Sequence, residues 1–110
     1  MFNRSEDPVG LLKKYSKAKN TCSVTFILPK EAAKTAKLVH LVGEFNKWGI
    51  HTTPMKKATD GSFKATLELK TGMEHQYRYL IDDKKWETDY QADKYVNSDY
   101  GKCENSVVVL

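Results

Sequence analysis

Asp60-Gly61-Ser62-Phe63-Lys64-Ala65-Thr66-Leu67-Glu68-Leu69-Lys70-Thr71-Gly72-Met73-Glu74-His75-Gln76-Tyr77-Arg78-Tyr79-Leu80-Ile81 is the stretch that decides the fold. Asp60-Gly61 is a strong hairpin signal, because both residue types tolerate the left-handed backbone that tight β-turns require. It leads into Phe63, Ala65, Leu67 and Leu69 on one face, with Lys64, Thr66 and Glu68 on the other. Alternation with a period of two marks a half-buried strand. Thr71-Gly72 then reverses the chain into His75, Tyr77, Tyr79 and Ile81, alternating with Gln76, Arg78 and Leu80.

The same pattern extends upstream. Val24, Phe26 and Leu28 alternate with Ser23 and Thr25 until Pro29 stops the run, since proline cannot donate to a strand ladder. Residues 30–36 read as a loop able to form a helical turn. Leu38 to Val42 is a short apolar strand ended by Gly43, and residues 44–60 form a long connection with a short strand at Met55–Ala58. Downstream, Asp82 to Lys85 is a tight polar turn into a short strand around Trp86, and Val107 to Leu110 is a final strand. About seven short strands, with turn signals roughly every eight to twelve residues, predict an all-β sandwich. Asp7-Pro8 before Val9, Leu11 and Leu12 resembles a capped helix start. Residues 1–19 are therefore expected to be an N-terminal arm or short helix, and residues 20–110 the β-sandwich domain.

Composition narrows the function. A chain of 110 residues is one domain, large enough to bury a core without a metal or a disulfide framework. No stretch reaches bilayer-spanning length, and Met1 to Gly10 is polar apart from Phe2 and Val9. The expected compartment is the cytoplasm, without membrane association. The net charge is +4, with 11 Lys/Arg against 5 Asp/Glu in residues 1–60 and 7 against 9 in residues 61–110. Lys13, Lys14, Lys17, Lys19, Lys30, Lys34 and Lys37 fall on the arm and a loop and not on one element, which reads as a solvated face and not as a nucleic-acid surface. Cys22 and Cys103 show no metal spacing and are expected to be free thiols.

Catalytic chemistry is not evident. His40, His51 and His75 are scattered, and His40 and His75 sit in strand patterns that suit structural roles. Asp82, Asp83, Glu87, Asp89, Asp93 and Asp99 form an acidic stretch without the alternating ligand loop of a calcium site, so they read as solvated turns. There is no nucleophile motif or phosphate-binding glycine loop. The expectation is a protein that is not an enzyme and carries neither metal nor cofactor. Trp48 and Trp86 lie instead beside turn residues and charges, where an indole can offer a flat apolar face and a polar N–H.

The run Val39-His40-Leu41-Val42-Gly43-Glu44-Phe45-Asn46-Lys47-Trp48 resembles the signature of the family-48 carbohydrate-binding module. That family includes the glycogen-binding domain of AMP-activated protein kinase beta subunits and the N-terminal early-set domains of branching and debranching enzymes. Gly72 to Tyr79 is similar to a second block, Ile81-Asp82 with Trp86 to a third, and Tyr100 to Val107 to the closing loop and last strand. The blocks keep their order over residues 20–110.

The resemblance implies an immunoglobulin-like sandwich that binds α-1,4-glucan such as glycogen, starch or maltodextrin. It implies Trp48 and Trp86 as platforms for glucose rings, Arg78 where the family has a hydrogen-bonding lysine, and Tyr100 where it has an aliphatic wedge. Asn105 is the implied hydroxyl-contacting asparagine, with Glu104 taking that place under a strict register. The turn Asp82-Asp83-Lys84-Lys85 is one residue longer than the Asp-Gly-x-Trp turn of the kinase domain. A stand-alone glucan-binding module is the leading expectation. The alternatives are a protein-interaction module of the same fold, or a regulatory partner of a kinase or glucan-metabolising enzyme that docks through residues 1–19.

Overall fold

The computed structural model describes residues 10–97 and 104–110. Among them nine strands form two sheets: β1 (Gly10–Ser16), β2 (Thr21–Leu28), β3 (Val39–Gly43), β4 (Lys56–Lys57), β5 (Phe63–Lys70), β6 (Glu74–Ile81), β7 (Lys85–Glu87), β8 (Lys94–Asn97) and β9 (Glu104–Val109). The first sheet runs β1-β2-β5-β4 and the second β3-β6-β9-β8, all antiparallel. One edge of β6 pairs with β3. Its other edge is shared, with Glu74–Tyr77 on β9 and Tyr79–Ile81 on β7.

The alternation read in the sequence is what joins the sheets. Cys22, Val24, Phe26 and Leu28 of β2 meet Leu41 of β3, Tyr77 and Tyr79 of β6 and Val108 of β9 in one buried cluster. The Phe26 and Tyr77 rings meet edge to face, 4.9 Å between centroids, a geometry that adds about 0.5–1.5 kcal/mol beyond the area buried. The long connection changes sheets. Leu41 N–H donates to Thr53 O at 2.9 Å and Met55 N–H to Val39 O at 2.8 Å, so the returning chain covers the free edge of β3 before entering β4. All of β3 is buried in consequence.

Three expectations change. Residues 10–16 are an edge strand and neither arm nor helix; residues 1–9, with the Asp7-Pro8 signal, lie outside the described residues. Leu11 packs on the core, Leu12 is exposed, and Lys13 Nζ reaches Asp93 Oδ2 at 2.7 Å and Val109 O at 3.0 Å. Backbone pairing to β2 outweighs the weak helical signal of this short segment. Strand β8 was not anticipated, and β9 starts at Glu104 instead of Val107.

The acidic stretch is the third correction, because Asp89 is buried and not a solvated turn residue. Tyr77 and Tyr79 donate their hydroxyls to Asp89 Oδ2 at 2.7 and 3.3 Å, and Gln91 N–H donates to Oδ1 at 2.8 Å. A buried carboxylate is tolerated where its lone pairs are filled in this way.

Candidate functional site

The outer face of the second sheet follows from the register. Tyr77, Tyr79 and Ile81 of β6 point into the core, so Gln76, Arg78 and Leu80 face outward. Cross-strand pairing puts Val42 and His40 of β3 beside Arg78 and Leu80, and Trp86 of β7 on the far side of Leu80. On β9, Val107 pairs with Gln76 and Ser106 with Tyr77, which places Asn105 and Val107 on the same outward face.

Trp86 is 41% exposed, and the Arg78 guanidinium lies over its ring at 5.3 Å from the centroid. A cation against one indole face is favourable. Asn105 is only 8% exposed, and its Nδ2 donates to Gln76 Oε1 at 2.9 Å. Four buried side-chain polar atoms lack a hydrogen-bond partner among the described residues: His40 Nδ1, Arg78 Nε and Asn105 Oδ1 on this face, and His75 Nε2 elsewhere.

Trp48 is 39% exposed, on the turn that leaves β3. Gly43 makes this turn possible by its size, since a Cβ there would lie 2.6 Å from Gln76 O and 2.9 Å from Tyr77 Cβ. Asn46 ties the turn together. Its Oδ1 accepts from Gly43 N–H at 3.0 Å, and its Nδ2 donates to Leu41 O at 2.9 Å and Thr53 Oγ1 at 3.0 Å. Lys47 and Trp48 are both left-handed, with φ of 56° and 59°, and Trp48 N–H donates to Gly43 O at 2.8 Å. That backbone region is costly for a bulky residue and persists where the surroundings enforce it.

The β6–β7 turn repeats the device. Asp82 and Asp83 have φ of 52° and 59°, and Lys84 N–H donates to Ile81 O at 3.0 Å. Asp82 Oδ1 accepts the N–H groups of Leu38 and Lys37, each at 2.8 Å, and these bonds hold its carboxyl below the ordinary range. Asp83 Oδ1 accepts from His51 Nε2 at 2.9 Å, joining this turn to the one that carries Trp48.

Of the expected site residues, the structure brings Arg78, Trp86 and Asn105 to one face and leaves Trp48 exposed on the adjoining turn. Tyr100 and Cys103 lie outside the described residues. Cys22 is buried. Gln76 was not singled out in the sequence, although its alternation with Tyr77 marks it as outward-facing. The face is open. A separate concavity of about 260 Å³, lined by Lys30, Glu31, Ala33, Lys34, Lys57 and Gly61, involves none of these groups.

A two-sheet β-sandwich with partly exposed indoles and a half-buried guanidinium beside one sheet has the form of a carbohydrate-binding module. The family model of the glycogen recognition site of AMP-activated protein kinase matches residues 31–110, and the chain belongs to that family, which is of the family-48 type. Membership supports carbohydrate binding in general, and the family itself is non-catalytic. No curated protein matches the chain.

Proposed function

We propose that this chain binds α-1,4-glucan without cleaving it, through Trp48, Trp86 and the outer face between them, and that the 110-residue chain suffices for binding. The observation that carries the reading is the pair of partly exposed indoles, Trp48 at 39% and Trp86 at 41%, with the half-buried Arg78 guanidinium set against the Trp86 ring. A pyranose ring needs both kinds of partner, because its C–H faces are apolar and its rim is hydroxyl. Each indole would contribute about 1–3 kcal/mol by analogy with base stacking. Hydrogen bonds to hydroxyls that must first shed water add selectivity more than net affinity. A dissociation constant between micromolar and millimolar, about −8 to −4 kcal/mol, is the expected outcome.

Titration of tryptophan fluorescence with maltoheptaose and β-cyclodextrin tests this. Saturable quenching is expected, with affinity lost in both Trp48→Ala and Trp86→Ala while each keeps its melting temperature to within a few degrees. A flat titration to several millimolar sugar overturns the glucan reading and favours the protein-interaction alternative. Reducing sugar released above a heat-killed control would overturn the absence of catalysis.

A further inference from the structure

We propose that His51 and Asp83, seated on His40, form a clasp that fixes the Trp48 turn against the Trp86 hairpin; both residues position the platforms and touch no sugar. The inference rests on the glucan reading above and adds the element that sets the spacing of its two indoles. His51 lies three residues after Trp48 and Asp83 three residues before Trp86. Their 2.9 Å bond is the one side-chain hydrogen bond between residues 47–55 and 82–87 among the described residues.

His40 supplies the floor. It is 8% exposed, its ring meets that of His51 edge to face at 5.0 Å, and its Nδ1 lies 4.0 Å from the same Asp83 oxygen. That nitrogen has no hydrogen-bond partner among the described residues. The buried edge facing the clasp is therefore polar, and the Asp83 carboxylate is the group set against it.

The backbone explains why the residue at 83 is aspartate. Asp83 sits at φ 59° in a position that glycine occupies without steric cost. A turn that served only to reverse the chain would gain from glycine. Aspartate tolerates this left-handed turn conformation at a small cost relative to glycine, and at Asp83 it contributes the carboxylate that His51 binds. Asp82, beside it, is committed to Lys37 and Leu38 and cannot substitute. Preorganisation of this kind improves binding by removing the ordering that a ligand would otherwise impose on two loose turns.

The test uses the whole chain and separates spacing from folding. Asp83→Gly relieves the backbone and removes the clasp, so its melting temperature should hold or rise while maltoheptaose affinity falls roughly five- to tenfold. Asp83→Asn keeps an acceptor for His51 and should restore most of the affinity. His51→Ala should match Asp83→Gly, and the double variant should be no weaker than either single one. Equal affinity in Asp83→Gly and wild type overturns the clasp. If wild type itself binds no glucan, the glucan reading fails, and the clasp is judged without ligand by the indole N–H resonances. A shift of the Trp48 signal in Asp83→Gly that is absent in Asp83→Asn supports the coupling between turns; an unmoved Trp48 signal in both overturns it.

Discussion

The two faces of β6 are built from one run of eight residues and do opposite things. On the inner face Tyr77 and Tyr79 are fully buried, and both hydroxyls end on Asp89, whose other oxygen takes Gln91 N–H. On the outer face Arg78 leans on a half-exposed indole, its Nε without a partner among the described residues, and Gln76 holds an Asn105 whose Oδ1 has none among them either. A network with every group satisfied specifies a fold, whereas a guanidinium set against a partly exposed indole leaves apolar and polar surface that a ligand can meet. Stability and binding should therefore separate by face.

The largest expected effect breaks the inner network. Asp89→Ala strands two buried hydroxyls and a backbone N–H, and a loss of about 3 kcal/mol or more is expected in urea unfolding. Glucan affinity of the molecules that remain folded should hold. The pH dependence has a definite sign. Burial pushes the Asp89 carboxyl above its ordinary value of 3.8, against the pull of Tyr77, the Gln91 amide and Tyr79. The folded state thus holds this proton more tightly than the unfolded chain does. Its contribution is fully present below pH 3.8 and is lost as pH rises through the raised value. The stability deficit of Asp89→Asn should accordingly be greatest in acid and shrink toward neutrality, and a constant deficit across that window would contradict the assignment. Asp82, whose carboxyl is held low by Leu38 and Lys37, works in the opposite direction: what it contributes is present above the ordinary range and lost as pH falls.

A smaller effect should cross the boundary between the faces. Asn46→Ala removes the side chain that binds Gly43, Leu41 and Thr53. A destabilisation of about 1–2 kcal/mol is expected, together with weaker maltoheptaose binding as Trp48 loses its support. Full affinity in this variant would show that the turn holds its shape without Asn46. The smallest effect is a gain. Lys47 is exposed at φ 56°, so Lys47→Gly should stabilise by up to about 1 kcal/mol with glucan affinity unchanged, readable as a small rise in melting temperature.

Strands β2, β5 and β6 were legible because each buries one face and so must alternate. The turns at Gly61 and Gly72 were legible because both adopt positive φ, at 91° and 79°, a conformation that leaves its mark on residue choice. Strand β1 was not. Leu11-Leu12 followed by Lys13-Lys14 has no period of two, and an edge strand with one neighbour needs little of one. The burial of Asp89 was hidden for a related reason. Nothing local distinguishes a carboxylate that two tyrosines will reach from one that water will hold.

The site divides in the same way. Trp48, Arg78, Trp86 and Asn105 could be named from the order of their blocks along the chain, because residue type and order survive in one dimension. Their arrangement could not be read there. Which side of the sheet Arg78 and Asn105 share depends on β6 pairing with β3, β7 and β9 at once. The meeting of His51 with Asp83 joins residues far apart in sequence through two left-handed turns. By itself the sequence determined the alternating strands and the glycine turns, which rest on local sterics or hydrophobic period, and the identity of the two indoles beside the turns. Only the tertiary structure decided the partners of Asp89, the edge strand β1 and the clasp, because each depends on groups brought together by sheet pairing, which no local pattern encodes.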